Sequence, residues 1–205
     1  MTTVARRLAI VLVGLTTAAC ALTNTGDPNT AAVVGDERIS TSEVQEQFDR
    51  RRNSAAFREQ AQQNPSGDFD IQAQAQLVTD LVRSALLLRV AQRNDVQVSD
   101  ADVDAVASDI VEQVGGREAF EQRLAEEGLS EEQFLEQVRI RELQAALQEQ
   151  IGADADLAAF VRDETADLPI EINPRYGAWD ATALAVTPTD PLAPAGEQAS
   201  PAPGS

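Results

Sequence analysis

The sequence predicts a mainly α-helical protein with a small N-terminal β-hairpin. Apolar residues between Gln76 and Val103 recur at helical spacing, and in the first part of this segment they widen nearly to a full ring. Capping boxes, in which a serine is followed three residues later by Glu or Gln, indicate helix starts at Ser40 and Ser130. Aromatic residues make up only 4% of the chain, so the core must be aliphatic, which favours helices over a β-sandwich.

The hairpin is predicted from two short β-prone pieces on either side of Gly35 and Asp36. Ala32–Val34 is expected to pair with Arg38–Ile39 across this turn. Ser40 then begins the first helix. Its helical character fades over residues 60–67, where proline and glycine predict a loop.

The rest of the helical framework is bounded by caps and by glycines that end helices. The central helix is expected to run from near Asp70 to Arg93, and a helix that is apolar on more than one side is normally buried among partners. The later helices are, in order, one from Ser99 to Gly115, a short one around Phe120 and Leu124 that ends at Gly128, a long one from Ser130 to Ile151, and a short one around Leu157–Val161.

Residues 169–180 have a different pattern, PIEINPRYGAWD. Ile170 and Ile172 alternate as in a strand, which we expect to pair with the N-terminal hairpin and join the two ends of the domain. Tyr176 and Trp179 are expected to pack against the end of the domain rather than to form a ligand shelf. The domain is therefore predicted to span residues 31–180, and the Pro- and Ala-rich residues 181–205 are predicted to be a disordered tail.

Residues 1–19 have the pattern of a secretory signal peptide. Two arginines precede the apolar run Leu8–Leu15, which is far shorter than the about 20 residues that cross a membrane. Cys20, the single cysteine, directly follows small residues, as in the lipobox where bacterial lipoproteins are lipidated. The alternative is a plain signal peptide cleaved nearby, with Cys20 lost or free. Lipidation would anchor the protein at the extracytoplasmic face of the cell membrane, with residues 20–30 as a tether.

Charge and composition exclude several classes of function. The formal net charge is −18, and such a chain repels phosphate backbones, so nucleic acid is not an expected partner. The chain has no histidine, which removes the commonest general base and metal ligand. Asp100, Asp102 and Asp104 lack the glycine and glutamate of an EF-hand loop and fit a helix N-terminus better, so we predict neither a metal nor a cofactor.

Four segments, taken in order, resemble the N-terminal region of SurA/PrsA-type extracytoplasmic chaperones, which is similar in part to trigger factor. They are AAVVGDERISTSEV, LLLRVAQRNDVQVSDADVDA, GGREAFEQRLAEEGLSEEQFLEQVRIREL and INPRYGAWD. Together they cover roughly residues 31–180, and their order is the specific signal. The resemblance implies a helical chaperone module that binds unfolded or secreted polypeptides through apolar helical surfaces.

The chain departs from that family in one respect. Members often carry a parvulin-type prolyl isomerase domain before the segment that returns to the module. Here only Gly152–Leu168 lies between the long helix and that segment, and a domain of about 100 residues does not fit there. The sequence therefore predicts a chaperone without isomerase activity.

The candidate client-binding residues lie on the apolar stripes of the two long helices. They are Leu81, Leu88, Phe134 and Val138. The expected function is that of a membrane-anchored holdase with many clients. The alternative is an envelope scaffold lipoprotein that uses the same fold to bind one dedicated partner.

Overall fold

The computed structural model describes residues 27–64 and 68–189, which form five short β-strands and seven α-helices. The strands are β1 (Thr30–Val34), β2 (Glu37–Ser40), β3 (Ile170–Ile172), β4 (Ala178–Asp180) and β5 (Ala185–Thr187). The helices are α1 (Thr41–Asn53), α2 (Ala55–Gln63), α3 (Phe69–Arg93), α4 (Asp100–Gln113), α5 (Arg117–Glu127), α6 (Glu131–Ile151) and α7 (Leu157–Glu164). The mainly α-helical fold predicted from the sequence is confirmed.

A three-stranded antiparallel sheet joins the two ends of the domain. Its strand order is β2-β1-β3, with Val33 opposite Arg38 in the hairpin and Ala32 opposite Ile172 in the returning strand. The Asn173 side chain extends this pairing by donating from Nδ2 to the Thr30 carbonyl at 2.9 Å. Both the hairpin and its predicted pairing with the returning strand are confirmed.

The first helix is broken into two, which the sequence did not indicate. Ser54 has extended backbone angles (φ −73°, ψ 155°), so it ends α1 and begins α2. Its side-chain oxygen accepts a hydrogen bond from the Phe57 N–H at 3.1 Å, because serine offers the backbone a local partner outside the helical ladder. The Phe48 and Phe57 rings then meet edge to face at 5.9 Å across the break. Helix α2 continues to Gln63, beyond the predicted fading at residue 60.

Helix α3 is the centre of the main core. It packs against α1, α6 and α7 and against strands β1, β2 and β5, which explains why its apolar stripe is nearly a full ring. Leu77 and Leu86 are almost completely buried, and burial of each contributes about 1.5–3 kcal/mol. The predicted burial of this helix among several partners is confirmed.

A second, smaller apolar cluster lies where α4, α5 and the first half of α6 meet. Its buried members are Val103, Ala107, Phe120, Leu124 and Val138. The Phe120 and Phe134 rings pack edge to face with centroids 4.8 Å apart. The predicted helix starts at Ser99 and Ser130 are both present, and each has a complete capping box, which begins α4 and α6. At Ser40 the helix start is also present, where the side chain accepts a hydrogen bond from the Glu43 N–H at 3.1 Å.

The C-terminal boundary predicted at residue 180 is wrong. Strand β5 pairs with β4, and the Val186 N–H donates to Thr79 Oγ1 of helix α3 at 2.8 Å. Residues 181–189 are therefore part of the folded domain, while the rest of the predicted tail, residues 190–205, lies outside the described residues. No local pattern indicated β5, because its hydrogen-bonding partner in α3 lies 107 residues away in the sequence.

The predicted tether ends earlier than expected, and the predicted signal peptide is not described by the structure. Thr30, assigned to the tether of residues 20–30, is 2% exposed within β1, so the fold begins before residue 31. The predicted signal peptide and Cys20 lie outside the described residues.

Tyr176 is 3% exposed and Trp179 packs partly buried against the core, which confirms the packing role predicted for both rings.

Candidate functional site

A continuous cleft runs between α3 and α6, from strand β2 to helix α7. It consists of three adjoining cavities of about 890, 240 and 650 Å³. Ser84 lines all three, Leu81 and Glu136 line the first two, and Ile140 and Gln144 line the last two. We refer to these joined cavities as the α3–α6 cleft.

The floor of the cleft is apolar in its largest part. Leu81, Ala85 and Leu88 follow one another at helical spacing on one side of α3, over about 10 Å at 1.5 Å per residue. Leu81 and Leu88 are only partly buried, and Leu135 adds apolar surface from α6. An apolar floor that stays accessible beside a fully packed core is suited to hold a partner's apolar side chains.

The walls of the largest cavity are acidic. Six glutamates line it against three arginines. The glutamates are Glu37 of β2, Glu43 and Glu46 of α1, and Glu131, Glu132 and Glu136 of α6. Desolvation raises the pKa of Glu43, and the charge of Glu37 raises it further. The walls thus concentrate negative charge on both sides of an apolar floor.

The three arginines already have acidic partners. Arg38 pairs with Asp27 at 2.9 Å, Arg50 with Glu46 at 2.7 Å and Arg139 with Asp100 at 2.8 Å. Among residues 27–64 and 68–189, by contrast, no ion pair involves Glu37, Glu43 or Glu132. The residues that line the largest cavity therefore carry a net negative charge.

One end of the cleft is fixed by contacts between α1 and the start of α6. Arg50 Nε donates to Gln133 Oε1 at 3.1 Å, and the same oxygen accepts from the Ser130 N–H at 3.0 Å. Gly128, in the turn before α6, lies directly on the backbone at the end of α1. These contacts set the separation of the two acidic walls.

The structure separates the four predicted client-binding residues. Leu81 and Leu88 lie on the floor of the cleft. Phe134 lines a different cavity of about 370 Å³ between α4, α5 and α6. Val138 is 3% exposed, so its side chain belongs to the core and we remove it from the candidate surface. It follows Phe134 by one helical turn, but it is buried while Phe134 is only partly buried.

Several residues of the cleft escaped the sequence analysis. Leu135 and Ile140 had a signal, because both are apolar residues of a long amphipathic helix with room for two apolar faces. No pattern in the sequence indicated the acidic walls. Glu43 and Glu132 are ordinary first-turn residues in their own helices, and only the packing of α1 beside α6 brings them to one cleft.

The described part of the chain offers no site for a metal. Over residues 27–64 and 68–189, no group of three or more Cys, Asp or Glu side chains is placed to hold an ion. Asp100 and Asp102 lie in the first turn of α4, as predicted, where Asp100 pairs with Arg139 and Asp102 completes the Ser99 capping box. Within the same ranges, no helix has both the length and the apolar character that crossing a membrane requires.

Comparison with known families identifies the framework around the cleft. The family model of the SurA-like N-terminal domain matches residues 2–156. The chain belongs to the SurA-like N-terminal domain family. This is a chaperone-type family, and its N-terminal domain is a chaperone module without a catalytic centre. None of the curated proteins matches the chain.

The match to the SurA-like N-terminal domain includes the hairpin and helices α1 to α6, and so the whole of both acidic walls. It ends before α7 and the three C-terminal strands. The segment INPRYGAWD, one of the four that carried the sequence resemblance, lies beyond the match. The family membership therefore covers the cleft floor, while the strands that complete the core belong to the part of the chain outside the match.

Proposed function

We propose that the protein is a membrane-anchored extracytoplasmic holdase, which binds apolar segments of unfolded or secreted polypeptides in the α3–α6 cleft. The observation that carries the proposal is the partly exposed floor of Leu81 and Leu88 in a cleft of chaperone-type framework. Binding of this kind requires no catalytic residue. The protein therefore acts by delaying aggregation, without prolyl isomerase activity.

An aggregation assay tests the binding. The double variant Leu81→Gln/Leu88→Gln removes apolar floor area, and each partly buried leucine that a client covers contributes less than the about 1.5–3 kcal/mol of full burial. We expect suppression of the aggregation of a denatured reporter enzyme to fall at least about tenfold in potency. Ile71→Gln is the matched control, because Ile71 is the exposed large apolar residue of α3, at 39%, and lies outside the cleft.

The control variant should suppress aggregation as well as the wild type, and all three proteins should show no isomerisation of a proline peptide above background. Equal loss in both variants, or no loss in the double variant with its melting temperature unchanged, would disprove the role of the floor. Isomerase activity would disprove the non-catalytic part of the proposal.

Lipidation of Cys20 supplies the membrane anchor in this proposal. Cys20 and Thr30, the start of β1, are ten positions apart, so the domain would lie within about 35 Å of the bilayer at full extension. Stable anchoring by several acyl chains follows from about 0.8 kcal/mol per buried methylene.

Substitution of the cysteine tests this anchor. In a bacterial host, wild-type protein should fractionate with membranes and carry a lipid mass on Cys20, while Cys20→Ala should appear in the soluble fraction. A wild-type protein that lacks the lipid mass, or a variant that stays in the membrane fraction after a salt wash, would contradict the anchor.

A further inference from the structure

We infer that the α3–α6 cleft selects extended client segments in which apolar residues alternate with arginine or lysine. The inference rests on the proposed function and names the class of segment that the cleft takes. It is carried by the combination of an apolar floor and acidic walls in which three glutamates have no ion-pair partner among the described residues.

Three glutamates of the cleft keep an unpaired negative charge in the part of the chain that the structure describes. Glu37 and Glu43 stand on one wall and Glu132 on the other, and none of them has an ion-pair partner in the described ranges. The cleft arginines are held by Asp27, Glu46 and Asp100, so they do not neutralise these groups. A cationic side chain entering the cleft gains a favourable interaction, and a carboxylate is repelled.

An extended segment can present alternate side chains to the floor of the cleft. Its successive side chains point to opposite faces, so every second residue can face the floor formed by Leu81, Ala85 and Leu88. A floor of about 10 Å corresponds to about three residues of extended chain at 3.3 Å each. The side chains in between point away from the floor, at the level of the glutamates.

Arginine and lysine fit those intervening positions better than short polar residues. Both have a long apolar stem with the charge at its end, so the stem can cover the rim of an apolar floor while the charge reaches a carboxylate. Short polar residues at the same positions would leave Glu43 and Glu132 without a cationic partner. Alternation of apolar and basic residues therefore satisfies both surfaces of the cleft at once.

Labelled nonapeptides and the intact chain test the inference by fluorescence anisotropy. One peptide alternates leucine with arginine, and a second alternates leucine with glutamine. We expect the leucine–arginine peptide to bind about tenfold more tightly at low salt, from three exposed ion pairs of up to about 1 kcal/mol each. The difference should shrink in high salt, because mobile ions screen exposed charges.

Matched variants distinguish the cleft from the overall negative charge of the chain. Glu37→Gln/Glu43→Gln/Glu132→Gln should remove most of the preference for the arginine peptide. The control Glu118→Gln/Glu149→Gln/Asp154→Asn makes the same change in net charge at exposed residues outside the cleft, and it should retain the preference. Melting temperatures of both variants confirm that they are folded.

The outcomes separate this inference from the proposed function. Equal affinity for both peptides, or equal loss of preference in the two triple variants, would overturn the inference. If the leucine–glutamine peptide still binds in a manner sensitive to Leu81→Gln/Leu88→Gln, the holdase proposal stands. If neither peptide binds, both proposals are wrong.

Discussion

A fragment of residues 27–156, which ends where the family match ends, is expected to be unfolded, while residues 27–189 should fold as the full chain does. The shorter fragment keeps both strands of the hairpin and helices α1 to α6, which carry the apolar floor and the acidic walls of the largest cavity. It lacks α7 and the C-terminal segment, which complete the core and line the third cavity of the cleft through Leu157, Val161 and Leu184. The missing buried side chains are Val161, Ile172, Tyr176, Leu184 and Val186.

The size of the expected effect follows from burial. Each of these five side chains contributes about 1.5–3 kcal/mol when buried, which together is similar to the whole stability of about 5–15 kcal/mol of a domain. Truncation also uncovers Ala32 and Val34 of β1 by removing β3, and it removes the Val186 N–H that Thr79 accepts in the core. No remaining element can replace these contacts.

Circular dichroism and thermal unfolding provide the measurement. Residues 27–189 should show a helical spectrum and one cooperative transition, and residues 27–156 should show weak helicity with no transition. A cooperative transition in the shorter fragment, at the melting temperature of the longer one, would show that the C-terminal strands are dispensable.

The sequence predicted most of the framework, because local signals determine it. Helix starts at Ser99 and Ser130 follow from capping boxes, which act within one helical turn. The pairing of Ile172 with the hairpin was predicted because Ile170 and Ile172 alternate as in a strand near the C-terminal end of the domain. At the N-terminal end, β-prone residues flank a turn. The break at Ser54 was missed, because a serine within a run of helix-forming residues gives no sign by itself of which backbone group it will bind.

The cleft could be predicted only in part. Leu81 and Leu88 were predicted because they lie on the apolar stripe of α3, and the structure places both in the cleft. Val138 is 3% exposed, and helical spacing alone does not show which apolar residues of a helix neighbouring elements will bury. The acidic walls depend on the position of α1 relative to α6, and this is a tertiary relation between residues some 90 positions apart, with no local signature.

The position of α1 relative to α6 depends on one close backbone approach, and Gly128→Ala is expected to destabilise the protein by about 3 kcal/mol. Gly128 has φ +72°, and a Cβ there would lie 2.6 Å from the Arg50 carbonyl oxygen and 2.9 Å from Arg51 Cα. Both are backbone atoms in the last turn of α1, so relief requires α1 and the α5–α6 turn to separate. Urea unfolding measures the loss.

Gly152→Ala is the matched control. Gly152 ends α6 with φ +98°, and a Cβ there would meet nothing within 4 Å. Its ψ is 146°, a conformation populated almost only by glycine, so its substitution should cost backbone strain alone, about 1–3 kcal/mol. Gly128→Ala adds the backbone contact to the strain of its own left-handed conformation, so the extra loss in that variant measures the contact. Equal destabilisation would mean that α1 and α6 move apart freely.

The same variant connects stability with binding. Separation at Gly128 should also weaken the hydrogen bond from Arg50 to Gln133, because both contacts join the end of α1 to the start of α6. The walls that carry Glu43 and Glu132 would then be farther apart, so a basic peptide could no longer reach both. Gly128→Ala should therefore reduce the preference for arginine-containing peptides at temperatures where the protein is still folded, whereas Gly152→Ala should leave it unchanged.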